Sequence, residues 1–154
     1  GLPEADFTIM RGDATSLPDK IRKASIDCVA TEPDLGPALR HFPTRHYARK
    51  IVEGLRPLYQ GLLAEAFRVL KDDGRLVIVS PLIKMRNEEF ASIDIEKEAK
   101  ATGFEAVFPF ERNSFVVDNP LVEDSLGTSV FVEMDKRQKV GRKIHVFQKA
   151  KFGV

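Results

Sequence analysis

In the middle of the chain, an amphipathic helix pattern leads directly into an apolar strand pattern, and this succession narrows the possible folds. The apolar residues of segment 57–74 recur at helical spacing and form a single stripe: Leu58, Leu62, Leu63, Ala66, Phe67 and Leu70. Gly74 stands where a helix commonly ends. The next segment, 75–82, is apolar on both faces, which predicts a fully buried strand. Such a helix followed at once by a buried strand is typical of α/β sheets.

Two strand patterns precede this unit. Segment 7–11 alternates apolar and polar residues and ends at Gly12 and Asp13. Segment 25–31 is mostly apolar on both faces, so we predict a central strand there. The segment between them, 16–24, is too short for more than a turn or two of helix.

A first helix is predicted from Thr44, which is a suitable N-cap for the amphipathic segment that follows. Pro57 either kinks this helix or begins a second one. Further along, 95–102 predicts a short helix that Gly103 ends, and 104–110 predicts a strand.

The C-terminal region predicts a β-hairpin. Two β-rich segments, 128–135 and 143–151, are joined by a polar turn that contains Gly141. The order of elements favours an α/β fold with a mostly parallel sheet and an antiparallel C-terminal hairpin. At 154 residues, 1–154 is expected to be a single domain.

Composition excludes several classes of protein. With 43% hydrophobic and 31% charged residues, the chain is neither disordered nor fibrous. Lys and Arg number 24 and Asp and Glu 23, so any nucleic-acid surface must be local.

No apolar stretch approaches the ~20 residues that span a bilayer, and there is no signal pattern, so we expect no membrane and a cytoplasmic location. Cys28, the only cysteine, is expected to be buried. No His or Cys spacing supports a metal site.

Carboxylates follow two of the predicted strands. In open α/β sheets, ligands bind outside the carboxyl ends of the strands. Asp13 follows segment 7–11, and Glu32 and Asp34 follow segment 25–31. We therefore expect these three side chains at one edge of the sheet. The alternative is that each is a solvated turn carboxylate.

Three segments carry a resemblance to a known family. RGDATSLP (11–18), IDCVATEPDLG (26–36) and YQGLLAEAFRVLKDDGRLVIVSP (59–81) resemble the second half of a class I S-adenosylmethionine-dependent methyltransferase. Within that class, the chain looks like the archaeal and bacterial RNA methylases that make N2-methylguanosine in tRNA and often carry a THUMP domain. The resemblance implies a partial Rossmann-like sheet, the C-terminal part of a catalytic domain, whose first two strands and glycine-rich turn are missing. G-x-G-x-x-G is indeed absent from the sequence.

The resemblance also implies roles for residues. S-adenosylmethionine is the expected cofactor, with Asp13 bonding the adenine amino group beside Ala14 and Thr31. Glu32, the Pro33 carbonyl and Asp34 would orient an exocyclic amine, as Asp-Pro-Pro-Tyr does in related enzymes. Neither position 34 nor position 35 holds the aromatic residue of that motif, so another ring, such as Phe42 or Tyr47, would have to stack on the base.

A cluster of basic residues follows this motif. Arg40, Arg45, Arg49 and Lys50 lie close together in the sequence, with Phe42 and Tyr47 among them, a pattern that suits RNA contact. A solvated polar helix start explains the cluster equally well. The second basic stretch, 136–143, is predicted to be only an exposed hairpin turn.

Two hypotheses of different classes follow. The first is an RNA methyltransferase acting on guanine N2 in tRNA, or a fragment of one, with a DNA amino-methyltransferase as a variant. The second is a catalytically inactive, methyltransferase-derived module that binds RNA or protein. Without a glycine-rich turn, we expect weak cofactor binding or none. Strands 7–11 and 25–31 would then have to pair with each other, with a second copy in a homodimer, or with a missing N-terminal half.

Overall fold

The computed structural model describes residues 7–107 and 130–151. These residues form two helices and six strands, in the order β1 Ile26–Thr31, α1 Arg45–Val69, β2 Leu70–Lys84, β3 Phe90–Ser92, α2 Ile95–Thr102, β4 Phe104–Ala106, β5 Val130–Glu133 and β6 Val140–Lys149.

All six strands belong to one sheet. Its strand order is β1-β2-β6-β4, with β3 also pairing with β2 and β5 also pairing with β6. The pairing of β1 with β2 is parallel, and the other four pairings are antiparallel. The mixed α/β sheet and the antiparallel C-terminal hairpin of β5 and β6 are thus confirmed. Parallel pairing is less extensive than expected, because segment 7–11 does not join the sheet.

Helix α1 is a single continuous helix. The Oγ1 of Thr44 accepts a hydrogen bond from the Tyr47 N–H at 3.3 Å, which confirms the predicted N-cap. The helix continues through Pro57, so no second helix begins there. It ends at Val69, with Leu70 as its C-cap, rather than near Gly74. The register of β1 on β2 jumps between Leu70 and Arg75. Regular pairing with β1 therefore begins at Arg75, where the strand was predicted.

One apolar core joins the helices to the sheet. Its largest fully buried side chains include Tyr59 and Leu63 of α1, Leu76 and Ile78 of β2, and Phe147 of β6. Helix α2 has the predicted bounds, and Gly103 ends it with a φ of 107°, in the left-handed region that favours glycine. None of the helices in the described part of the chain is long and apolar enough to cross a membrane.

Several local predictions were wrong. Segment 7–11 forms no strand, and Phe7 and Ile9 are 79% and 87% exposed. Strand β1 is an edge strand, because within residues 7–107 and 130–151 it pairs only with β2. Cys28 of this strand is exposed rather than buried.

The remaining differences are small. Segment 16–24 contains a turn, closed by the Ile21 N–H on the Pro18 carbonyl at 2.9 Å. Of the predicted strand 104–110, the first three residues form β4, while 108–110 lie outside the described residues, as do 128 and 129. Gly141 belongs to β6 rather than to the hairpin turn, which closes between Asp135 and Gln138.

Candidate site at the end of the first strand

The turn after β1 places Glu32 next to Arg142 of β6. Thr31, the last residue of β1, is paired with Ile78 of β2. The Glu32 Oε1 accepts a hydrogen bond from the Arg142 Nε at 3.1 Å, and Arg142 of β6 also lies 3.7 Å from the Glu133 carboxylate. Within the described residues, neither the Glu32 Oε2 nor the Pro33 carbonyl has a hydrogen-bond donor. Two adjacent acceptors are therefore available at the strand end.

Asp34 and Tyr59 fix the shape of this turn. The Asp34 Oδ1 accepts the Gly36 N–H at 2.8 Å. The Tyr59 hydroxyl donates toward two carbonyls, that of Asp34 at 3.1 Å and that of Val79 in β2 at 3.2 Å. Burial, with the charges of Asp34 and Glu32 next, raises the pKa of Tyr59. The hydroxyl therefore remains a donor and ties the turn to the sheet.

Gly36 allows the turn to lie directly on α1. Its φ is 100°, and a Cβ atom there would be 2.9 Å from the Ile51 Cγ2. A side chain at this position would clash with α1 in a backbone conformation that L residues rarely adopt. The glycine of TEPDLG is thus required by the position of the helix.

Asp13 lies in a separate turn that packs against α1. Its Oδ1 accepts hydrogen bonds from the Thr15 Oγ1 at 2.7 Å and the Thr15 N–H at 2.8 Å, and these bonds lower the pKa of Asp13. Thr15 packs against Gly61, two residues from Tyr59, and the Leu17 N–H donates to Glu65 at 2.9 Å. Asp13 and Ala14 are exposed. Residues 59–65 of α1 therefore contact both predicted site loops.

The hydrogen-bond acceptors of these two turns fit one end of S-adenosylmethionine. The Asp13 Oδ2 is unpaired within the described residues, so it is available to an adenine amino group. The chain offers no glycine-rich turn for the remainder of the cofactor, and the described residues place no strand on the outer edge of β1. The fit is therefore confined to the adenine end and the strand-end acceptors. Residues 7–107 and 130–151 also contain no cluster of His, Cys, Asp or Glu able to hold a metal ion.

The structure separates the basic residues predicted to contact RNA. Arg40 lines a hollow of about 390 Å³. Arg45 and Arg49 line a different hollow of about 740 Å³, where Arg45 forms an ion pair with Glu89. Lys50 is exposed on α1. Four residues that are neighbours in sequence thus do not form one surface.

The two rings near this cluster differ in their surroundings. The Lys84 and Lys139 ammonium groups lie over the Phe42 ring, 5.6 and 5.7 Å from its centroid. Such contacts are attractive cation–π interactions. Tyr47, in the first turn of α1, is 46% exposed. Of the two, Tyr47 has the ring that is open to solvent.

A groove that the sequence did not reveal lies next to the strand-end turn. It has a volume of about 440 Å³, and its walls are residues 35–39 and the hairpin residues 137–140 and 142. Sequence reasoning missed Arg86, Arg137, Lys139 and Arg142 as functional candidates. The basic stretch 136–143 was visible in the sequence, but only the fold places it beside residues 35–42. Nothing in the sequence indicated Arg86.

Comparison with known sequences finds no matching protein-family model and no matching curated protein. Solved structures do match. A proposed DNA modification methylase from Thermus thermophilus, complexed with S-adenosyl-L-methionine, aligns with a TM-score of 0.50 and 18% identity over 93% of this chain and 55% of that chain. TrmN from Thermus thermophilus aligns with a TM-score of 0.50 and 20% identity over 91% of this chain and 27% of that one.

These similarities establish the fold. The chain has a partial Rossmann-like class I methyltransferase fold, and its sheet carries the antiparallel hairpin at its C-terminal end. The chain spans about half the length of the methylase and about a quarter of TrmN.

Proposed function

We propose that this chain is the C-terminal part of the catalytic domain of an S-adenosylmethionine-dependent RNA methyltransferase that modifies an exocyclic amine, guanine N2 in tRNA. The observation that carries this proposal is the pair of free acceptors at the end of β1, the Glu32 Oε2 and the Pro33 carbonyl. An exocyclic amine has two N–H donors, and two fixed acceptors hold it in one orientation.

The residues around these acceptors would keep them in position. Arg142 holds the Glu32 carboxylate by the Oε1 atom, at 3.1 Å from the Arg142 Nε. Tyr59 holds the Asp34 backbone carbonyl, so Asp34 acts through the shape of the turn. Two N–H bonds to Glu32 and Pro33 would direct the nitrogen lone pair toward the reacting methyl carbon. S-adenosylmethionine, when bound, would supply that methyl group, with Asp13 accepting from its adenine amine and Ala14 and Thr31 beside it.

RNA is the proposed partner. Arg40, Arg45, Arg49 and Lys50 are exposed on different parts of the surface, and we assign them to contacts with separate phosphates of the RNA. The neighbour described as a DNA modification methylase supports a nucleic-acid substrate and gives a DNA amine as the variant. Completion of the sheet along β1 by an N-terminal half or a second copy belongs to the same proposal.

The function is tested by ligand binding and methyl transfer together. We expect S-adenosylmethionine to bind this chain only at millimolar concentration in calorimetric titration, and Asp13→Ala to abolish that binding, while Asp19→Ala in the same loop leaves it intact. With tritiated cofactor and a tRNA transcript, we expect slow transfer that Glu32→Ala reduces by roughly 100-fold, because the amine loses its orientation. Asp27→Ala, which removes an exposed carboxylate of β1, is the matched control.

A second candidate is a catalytically inactive module that binds RNA or protein. It is favoured by the lack of an aromatic residue at positions 34 and 35, and by the two lysines over the Phe42 ring. Binding of tRNA with no cofactor binding at millimolar concentration and no methyl transfer would support this candidate against the enzyme.

A further inference from the structure

The C-terminal hairpin and the loop after the strand-end turn enclose a basic surface, which we call the hairpin groove. It consists of the two adjoining hollows of about 440 and 390 Å³, which share Lys139. Its charged lining residues are Arg40, Arg86, Arg137, Lys139 and Arg142. Among the described residues, neither hollow is lined by a carboxylate. The hollow at Arg45, by contrast, includes Glu53 and Glu89.

Several of these cations are not neutralised by neighbours. Arg40 and Lys139 have no carboxylate within ion-pair distance among the described residues. Arg137 lies 3.8 Å from Asp135, with 95% of its side chain exposed. The whole chain has a formal charge of only +1. The five cations that line the groove are therefore a local concentration of positive charge.

Arg86 and Lys139 are held by contacts that leave their charge available, whereas Arg142 is ion-paired with Glu32 and Glu133. Phe42 attracts the Lys139 ammonium group to its ring, and its carbonyl accepts the Arg86 Nε at 3.0 Å. The backbone N–H of Arg86 also donates to the Pro43 carbonyl at 3.1 Å. A carbonyl or a ring fixes an arginine or lysine without cancelling its charge, unlike a carboxylate. Arg86 and Lys139 are therefore fixed cations of the groove.

The groove begins at the candidate site. Arg142, in its wall, donates to Glu32, and Leu35 and Gly36 of its other wall directly follow Asp34. The walls also contain apolar side chains, Leu35, Pro37 and Leu39, against which an unstacked base or sugar can pack.

We propose that the hairpin groove binds the phosphate backbone of single-stranded RNA and directs it to the Glu32–Pro33 acceptors. Arg40, Arg86 and Lys139 contact phosphates, and Arg142 lies where the strand meets the site. The choice of RNA rests on the proposed function, but binding to the groove is measurable without methyl transfer.

The test is the fluorescence anisotropy of a labelled single-stranded RNA of roughly 12 nucleotides, titrated with this chain at several salt concentrations. The variant combines Arg40→Gln, Arg86→Gln and Lys139→Gln. Its control combines Lys20→Gln, Lys97→Gln and Lys100→Gln, three lysines outside the groove lining, so both lose three charges. Circular dichroism establishes that both are folded.

We expect the groove variant to bind at least about tenfold more weakly at low salt, with the slope of log K against log salt reduced by about 2. The control should bind like the parent.

Three results would overturn the proposal: equal losses in the two variants, no measurable RNA binding by the parent chain, or binding to single-stranded DNA of the same sequence more than tenfold tighter than to RNA. Failure of the proposed function looks different. In that case methyl transfer is absent while RNA binding still depends on the groove. If methyl transfer occurs but the groove variant binds RNA as tightly as the parent chain, the groove proposal is rejected and the proposed function is not.

Discussion

At the level of single residues, the candidate site depends on side chains that hold a turn. Glu32 and Asp13 are recognisable from sequence because they are carboxylates that follow predicted strands. Tyr59 is different, because in sequence it is one member of an apolar helical stripe. Its hydroxyl reaches Asp34 only because α1 packs across the end of β1.

The role of Tyr59 gives a prediction about stability. Tyr59→Phe removes a buried donor shared by two carbonyls, so we expect the free energy of unfolding in urea to fall by about 1–3 kcal/mol. The matched control is Tyr47→Phe, whose ring is 46% exposed, with an expected change within about 0.5 kcal/mol. Equal effects of the two substitutions would show that the Tyr59 hydroxyl does not hold the turn.

At the level of elements, the pairing of β2 with β6 buries a histidine. His145 is 1% exposed, its Nε2 lies 2.9 Å from the Ser80 Oγ, and its Nδ1 has no partner within the described residues. Burial first, and then Lys143, lowers the pKa of His145 to about 3, while Asp94 acts in the opposite direction. The imidazole is therefore neutral in the fold, with Phe147 stacked on it at 5.8 Å.

This burial predicts a pH dependence. Below pH ~6.5 the unfolded chain binds a proton at His145 that the folded chain does not, so stability falls as the pH falls from about 6.5 toward 3. Between pH 7.5 and 5.5, we expect His145 to account for a loss of about 1.4 kcal/mol in the free energy of unfolding. That range lies above the ordinary titration of carboxylates.

His145→Gln removes this titration, and His41→Gln, at an exposed histidine, is the matched control. Denaturation at the two pH values should therefore show a smaller pH dependence in His145→Gln, whatever its overall stability, and the parental dependence in His41→Gln. An unchanged dependence in His145→Gln would mean that the histidine binds protons equally in the folded and unfolded chain.

At the level of the whole molecule, strand β1 borders an open side of the sheet. In residues 7–107 and 130–151, no strand pairs with its outer edge, and Cys28 and Ala30 are exposed on it. Unpaired strand edges favour pairing with another chain. Phe7 and Ile9, both more than three-quarters exposed, add apolar surface.

We therefore expect this chain to self-associate. Light scattering should give a mass that rises with protein concentration, and Ala30→Lys should lower it toward the monomer, because an edge lysine opposes strand addition. Ala101→Lys, at an exposed position of α2, adds the same charge and should not change association. A monomer at every concentration would contradict this use of the edge.

Local sequence patterns were sufficient to predict most of the two helices, the buried strand 75–82 and the C-terminal hairpin. These features follow from periodicity, caps and turn residues, which act over a few neighbouring positions. The N-cap at Thr44 and the C-cap at Gly103 are examples of residues whose function is complete within one helical turn.

Which edges and faces are covered depends instead on contacts between segments that are far apart in the chain. Segments 7–11 and 25–31 both have strand-like patterns, but a strand needs a partner, and within residues 7–107 and 130–151 only the second has one. Likewise, the hairpin groove joins Arg86 to Lys139, which are distant in sequence, and Arg142 reaches Glu32 across the sheet end. Strand pairing and packing between distant segments set these contacts, and no local pattern encodes them.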